Sequence, residues 1–205
     1  MTVPISAARR PNVLADFIPS RAMRNVPAEL VRDISLIVGG AAFVGILAQI
    51  AIPIPGTPVP VTGQTFGVLV VGAALGWWRA LASMSMYLLA GVAGLPWFAE
   101  AKSGLEWPTF GYVVGFLLAA VVVGSMAGRG GDRTVAKSVA TMALGTLAIY
   151  SVGVPWLAAN MGLNMSAAID AGLTPFLLGD GLKIALAAGL LPGLWKFAES
   201  LERKN

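Results

Sequence analysis

The chain has 205 residues, 57% of them hydrophobic and 12% charged, with a net charge of +4 and a mean hydropathy of +0.77, far more apolar material than a water-soluble domain of this length needs. It contains no His and no Cys, which excludes zinc clusters, thiol nucleophiles, imidazole bases and disulfide frameworks. Its basic residues flank hydrophobic runs and are not interleaved with aromatics, so membrane topology accounts for the charge and nucleic acid is excluded as a partner.

Residues 1–33 carry Arg9, Arg10, Arg21 and Arg24 without the apolar run of a secretory signal and read as a cytoplasmic tail. Beyond them, no charged residue lies between Asp33 and Arg79, Arg79 and Glu100, Glu106 and Arg129, or Lys137 and Asp170. A bilayer core roughly 30 Å thick takes about 20 apolar residues per helix, so these gaps hold several crossings. The first span is expected at about 34–52. Pro53, Pro55, Pro58 and Pro60 follow, ending the helix in a stiff extended loop because proline fixes φ and removes a donor. A second span at about 61–78 closes on Trp77, Trp78 and Arg79, the aromatic and basic signals of a membrane interface. A third occupies about 80–94.

The connection 95–109 carries Trp97, Phe98, Glu100, Lys102, Glu106 and Trp107 and is long enough to suggest a functional loop. A fourth span at about 110–128 and a fifth at about 138–161 follow, with Pro155 expected to bend or end the fifth. The sixth runs from about 175 to 196. The fold class is therefore an all-α integral membrane protein, a six-helix bundle, with residues 34–198 as one transmembrane domain and 199–205 as a second cytoplasmic tail. With six spans, twelve of the fourteen Lys and Arg fall on the side of the termini, leaving Lys102 opposite and Lys183 inside a span. That asymmetry puts both termini in the cytoplasm of a bacterial-type cell membrane.

Asp180 and Lys183 stand three apart in the sixth span and so share one helix face within the outer leaflet. A charge at that depth costs at least a few kcal/mol and marks a functional site by default, though mutual neutralisation or helix packing is the plainer alternative. Gly179 and Gly181 beside the acid would allow a ligand or a helix to approach closely. Thr62 and Gln64 at a span entrance offer hydrogen bonds, or merely cap the helix. Trp97, Phe98, Trp107 and Tyr112 offer an apolar wall, with an interfacial belt as the alternative for Trp107. Glu106 reads as a solvated loop charge, Glu100 as the better candidate of the two, and Tyr87 as packing. In the first span Ala41 and Gly45 form a small-xxx-small face, for a partner helix or for the bundle itself.

Four segments in order carry a resemblance. They are Pro58-Val59-Pro60-Val61-Thr62-Gly63-Gln64-Thr65, Tyr87-Leu88-Leu89-Ala90-Gly91-Val92-Ala93-Gly94-Leu95-Pro96, Pro108-Thr109-Phe110-Gly111-Tyr112, and Pro175-Phe176-Leu177-Leu178-Gly179-Asp180-Gly181-Leu182-Lys183. Over about 34–195 the chain resembles the BioY family, the biotin-specific substrate-binding (S) components of energy-coupling-factor transporters. The resemblance implies a six-helix S-component fold that captures biotin near the outer surface as transported substrate, with no cofactor. It implies that Asp180 and Lys183 line the site, with Thr62, Gln64, Trp97, Phe98, Glu100 and Tyr112 around it. It also implies that the Ala41/Gly45 face docks on a transmembrane coupling subunit driven by two ATPases; a homo-oligomer is the other expected assembly. The chain departs from the family pattern in Glu100-Ala101-Lys102 and in Ala-xxx-Gly for Ala-xxx-Ala. An S component for another small vitamin and a structural membrane subunit are the alternatives. No G-x-x-x-x-G-K-[ST] loop occurs, so any ATP-driven step belongs to other chains. An enzyme is not expected: Gly179-Asp180 is half of a membrane aspartyl protease signature, but residue 177 is Leu and no second Asp lies in a predicted span.

Overall fold

The structure is a computed structural model describing residues 12–19, 27–105 and 107–203. Arg9, Arg10, Arg21, Arg24, Glu106 and Lys204 lie outside the described residues. In chain order the elements are α1 (Ala28–Ala48), β1 (Ala51–Ile52), β2 (Val61–Thr62), α2 (Gln64–Leu75), α3 (Trp77–Val92), α4 (Phe110–Ala127), α5 (Val135–Met161), α6 (Met165–Gly172) and α7 (Leu177–Glu202). Short 3-10 turns occupy Leu14–Phe17, Ala99–Ala101 and Thr174–Phe176. Four stretches, containing α1, α4, α5 and α6 with α7, are long and apolar enough to cross a membrane, and α2 is a shorter apolar helix. Large apolar side chains face outward along the bundle, Leu178 at 89% exposure and Ile46 at 68% among them. Water would penalise that surface and lipid does not, so the fold is that of a membrane protein.

The helix centre is α4, packed most extensively on α5 and also on α2 and α3. Two glycines permit that closeness. A methyl at Gly124 would overlap the backbone of Gly76 and Trp77, and one at Gly115 would lie 2.8 Å from the Ile149 carbonyl oxygen. Gly76 itself has φ +80, so α2 and α3 meet in a sharp corner that seats directly on α4.

The four prolines after α1 are held in a two-stranded antiparallel hairpin, with Ala51 opposite Thr62 and Ile52 opposite Val61. Pro155 does not end its helix, since α5 continues to Met161, packed against α4 and α7. An element the sequence reading leaves as connection is α6, started by the Asn164 side chain accepting from the Ala167 N–H at 2.9 Å. It is tied down by Thr57 and Tyr112, whose hydroxyls donate to the carbonyls of Ala171 and Gly172 at 2.6 and 2.7 Å.

The expected tail boundary at residue 33 also shifts. α1 begins at Ala28, and residues 12–19 lie on the bundle instead of leaving it. Val13 and Ala15 are buried there, and Phe17 meets Trp195 edge-on at 5.5 Å. The cause is electrostatic as well as apolar: the buried Arg79 guanidinium bridges Asp33 at 2.9 Å and Asp16 at 3.2 Å, and a buried cation needs such partners.

Candidate functional site

At the hairpin end of the bundle, a cavity partly open to solvent lies among β2, α2, α4, α5 and α7. Its walls are mainly apolar: Val113 and Phe116 from α4, Ile149 from α5, Phe176 before α7, and Val59 and Pro60 from the hairpin loop. Against that background stand a few polar groups, from Thr62, Gln64, Thr65, Thr109, Tyr112, Thr146, Tyr150, Asp180 and Lys183. Few convergent polar atoms in an apolar shell give a site orientation and selectivity together.

Asp180 is 6% exposed. One of its carboxylate oxygens accepts a hydrogen bond from the Tyr150 hydroxyl, and the other lies 3.4 Å from the Lys183 ammonium. That ammonium also donates to the Thr65 hydroxyl, at 2.7 Å. Ion pairs with good hydrogen bonds close to about 2.7–2.9 Å, so the acid and the base are neighbours without being each other's best partner. Both border the cavity. They form an i,i+3 ion pair, but one that borders a cavity and is not sealed beneath packed side chains.

Of the residues expected around the site, Thr62, Gln64, Tyr112, Asp180 and Lys183 line the cavity. Gln64 is also structural: its amide donates to the Tyr87 hydroxyl at 2.5 Å and accepts from Thr62 at 3.2 Å, and Tyr87 donates on to the Trp97 carbonyl. Tyr87 is fully buried. Trp97, Phe98 and Glu100 do not line the cavity. Phe98 is drawn under α3 because Gly91 leaves room for its ring, and it stacks among Tyr87, Trp107 and Phe110. Trp97 lies on Gly45, where a methyl would come within 3.0 Å of the indole. Glu100 points to solvent and pairs with Lys102 at 2.6 Å. The connection presents Ala99 and Trp107 to the cavity in their place.

The Ala41/Gly45 face is likewise turned inward. Both residues are buried, so the spacing serves close packing within the bundle and is not a free docking surface. Nor do the glycines flanking the acid seat a close neighbour: a methyl at Gly181 meets nothing within 4 Å, and one at Gly179 meets only Val61 at 3.9 Å. Thr65, Thr109, Thr146 and Tyr150 were not singled out in the sequence. For Thr65, Thr146 and Tyr150 the signal available was a hydroxyl inside an otherwise apolar helix, which in a membrane needs a partner; Thr109 lies just before α4. No group of side chains suited to a metal ion occurs among the described residues.

Fold and site together define a helical membrane protein with a largely apolar cavity, bordered by a buried charged pair, near one end. Comparison with known proteins narrows the class. The sequence profile described as the BioY family matches residues 19–200, and the chain belongs to that family. It is 34% identical over 159 residues to the "Probable biotin transporter BioY" of Pyrococcus horikoshii, covering 76% of this chain and 91% of that protein. It is 37% identical over 141 residues to the "Biotin transporter BioY" of Thermotoga maritima, covering 67% of this chain and 81% of that protein. Its fold matches the crystal structure of an S component for biotin from an ECF-type ABC transporter, with a TM-score of 0.74 at 23% identity, covering 85% of this chain and 95% of that one.

Proposed function

We propose that the chain is the biotin-binding component of a vitamin uptake transporter in the cell membrane, and that the cavity at the hairpin end is where biotin sits. The observation that carries this reading is the charged pair at the cavity wall: Asp180 held by Tyr150, Lys183 held by Thr65, in an otherwise apolar enclosure. Biotin has matching chemistry. Its ureido N–H groups are donors for a carboxylate, its ureido carbonyl and terminal carboxylate are acceptors for an ammonium, and its thioether ring and alkyl chain suit Phe116, Ile149 and Trp107. The names of the relatives support the same ligand. Thr62, Gln64 and Tyr112 complete the proposed contacts.

In this reading α1 to α5 and α7 are six spans, with α2 and α3 short. The 12 residues of α2 rise only about 18 Å, so hairpin and connection occupy the remaining depth on that side. Arg32, Arg79, Arg129, Arg133, Lys137, Lys196 and Arg203 gather at the end opposite the hairpin, which supports cytoplasmic termini and a cavity near the outer surface. Without a phosphate loop, energy enters through a transmembrane coupling subunit and two ATPases, as in ECF-type systems. Isothermal titration of the detergent-purified chain with biotin tests the ligand, with saturable binding at or below micromolar concentration expected. Mass spectrometry of ligand extracted from the purified protein tests it independently; a different co-purifying vitamin would reassign the substrate.

A further inference from the structure

Thr65 and Tyr150 are neutral, yet each bonds one of the two charges more closely than the charges meet each other. The Lys183 ammonium sits 2.7 Å from the Thr65 hydroxyl and 3.4 Å from the carboxylate three residues earlier on the same helix. The Tyr150 hydroxyl occupies the carboxylate oxygen that faces α5. In a largely buried setting, an ammonium free to choose would close on the anion, because attraction between unit charges far outweighs a bond to a neutral hydroxyl. Side chains on two other helices, α2 and α5, hold the ammonium and the carboxylate while that contact stays long.

We infer that Thr65 and Tyr150 are positioning residues that keep Lys183 and Asp180 from satisfying each other, leaving one acceptor and one cationic donor presented to the cavity for a ligand carrying both kinds of group. The inference rests on the ligand reading given above. It explains why the pair stands beside an open volume with incomplete mutual contact, and it assigns roles to two side chains that need not touch the ligand. A collapsed pair would present little net field to the cavity. A separated one offers the complementary sites that a neutral urea or a carboxylate needs.

The test uses the full chain in detergent, with Thr65→Val, Thr65→Ser and Tyr150→Phe. Biotin affinity, the ligand-free unfolding midpoint and the ligand-free crystal structure are measured for each. The expected result is affinity at least tenfold weaker in Thr65→Val and in Tyr150→Phe, with an unfolding midpoint that is unchanged or raised. Thr65→Ser should return affinity to within threefold of the parent. In the ligand-free Thr65→Val structure the Lys183–Asp180 distance should fall from 3.4 Å toward about 2.8 Å. Affinity and midpoint falling together would make Thr65 a packing residue and overturn the inference. So would an unchanged distance, which would leave Thr65 as a direct ligand contact, or unchanged affinity in both variants. A parent protein that takes no biotin overturns the ligand reading, and this inference with it; a parent that binds beside indifferent variants overturns only the inference.

Discussion

Removing both charges from α7 should harm the protein less than removing either one. At 3.4 Å and an effective dielectric of about 20, the attraction between Asp180 and Lys183 is about 5 kcal/mol. Desolvating each ion costs several kcal/mol, so the intact pair contributes little net stability. Breaking a fully buried pair costs about 3–5 kcal/mol, because one charge is left alone. Here the side chains are 16% and 8% exposed and border a solvent-connected volume, and Tyr150 or Thr65 still bonds the survivor, so about 2 kcal/mol is the reasonable expectation for Lys183→Met or Asp180→Leu. In a chain of this size that is a fall in unfolding midpoint of about 4–8 °C. The double variant Asp180→Leu/Lys183→Met should lose less than about 1 kcal/mol, while all three variants lose biotin affinity by about a hundredfold or more. Thermal unfolding followed by the fluorescence of the six tryptophans, with titration of biotin in parallel, measures both quantities. A double variant as unstable as the worse single one would make the pair scaffolding, and a double variant that keeps parental affinity would remove it from the site.

The remaining expectations concern backbone, packing and pH. Ala101 adopts φ +56 without being glycine; Ala101→Gly should raise stability by about 1 kcal/mol, read as a higher midpoint, and a lower midpoint would refute the strain. Gly45→Leu should cost about 1–3 kcal/mol by driving Trp97 off α1, whereas a residue serving only an external partner would tolerate the change in the isolated chain. Asp132, in the connection between α4 and α5, is fully buried and accepts from the Trp195 indole N–H at 2.8 Å. Burial raises its carboxyl above the ordinary range, against the opposing effects of that bond, its own backbone N–H and Arg133. The folded state then holds a proton that the unfolded state has lost, so this residue's contribution to stability declines as pH rises from about 4 through the raised value. Midpoints measured across that range should show the decline in the parent and not in Asp132→Asn; identical profiles would refute the assignment. Gly181→Ala should raise the midpoint through helix propensity, by at most about 1 kcal/mol, since nothing lies near enough to clash.

Much of the bundle was legible because apolar runs and the charges between them mark where a chain can enter and leave a bilayer. Proline punctuation placed the hairpin loop, and the run from Gly179 to Lys183 placed the charged pair. The faces of the helices were not legible. In a soluble helix the polar side betrays orientation, but α4 is apolar all round, because lipid and core ask for the same side chains. That is why the small residues Ala41 and Gly45 could be read as facing either way, and why only contact with Trp97 and α3 decides it. Aromatic residues in a connection are similarly ambiguous. Phe98 looked like a ligand wall, yet the space left by Gly91, seven residues away in the chain, swallows its ring. Thr65 and Tyr150 escaped notice because their meaning is relational: a hydroxyl in an apolar helix acquires a role only when a charge on another helix reaches it.

The same reasoning locates what turns α7 to the angle that makes a cavity. Leu178, Leu182, Leu186, Leu190 and Leu194 face outward while Ala187, Ala188 and Leu191 are buried, and since lipid would accept leucine on either face, apolar burial alone sets its rotation only weakly. Polar contacts reinforce it, and they sit near its two ends. At one end Asp180 meets Tyr150 and Lys183 meets Thr65. At the other, Trp195 donates to Asp132 and lies under the Arg133 guanidinium at 4.2 Å. The unbroken helix from Asp180 to Trp195 converts those two constraints into one orientation. The bonds at the cavity therefore do two things at once: they present charges to a solute, and they help to fix the face that the helix carrying those charges turns toward it.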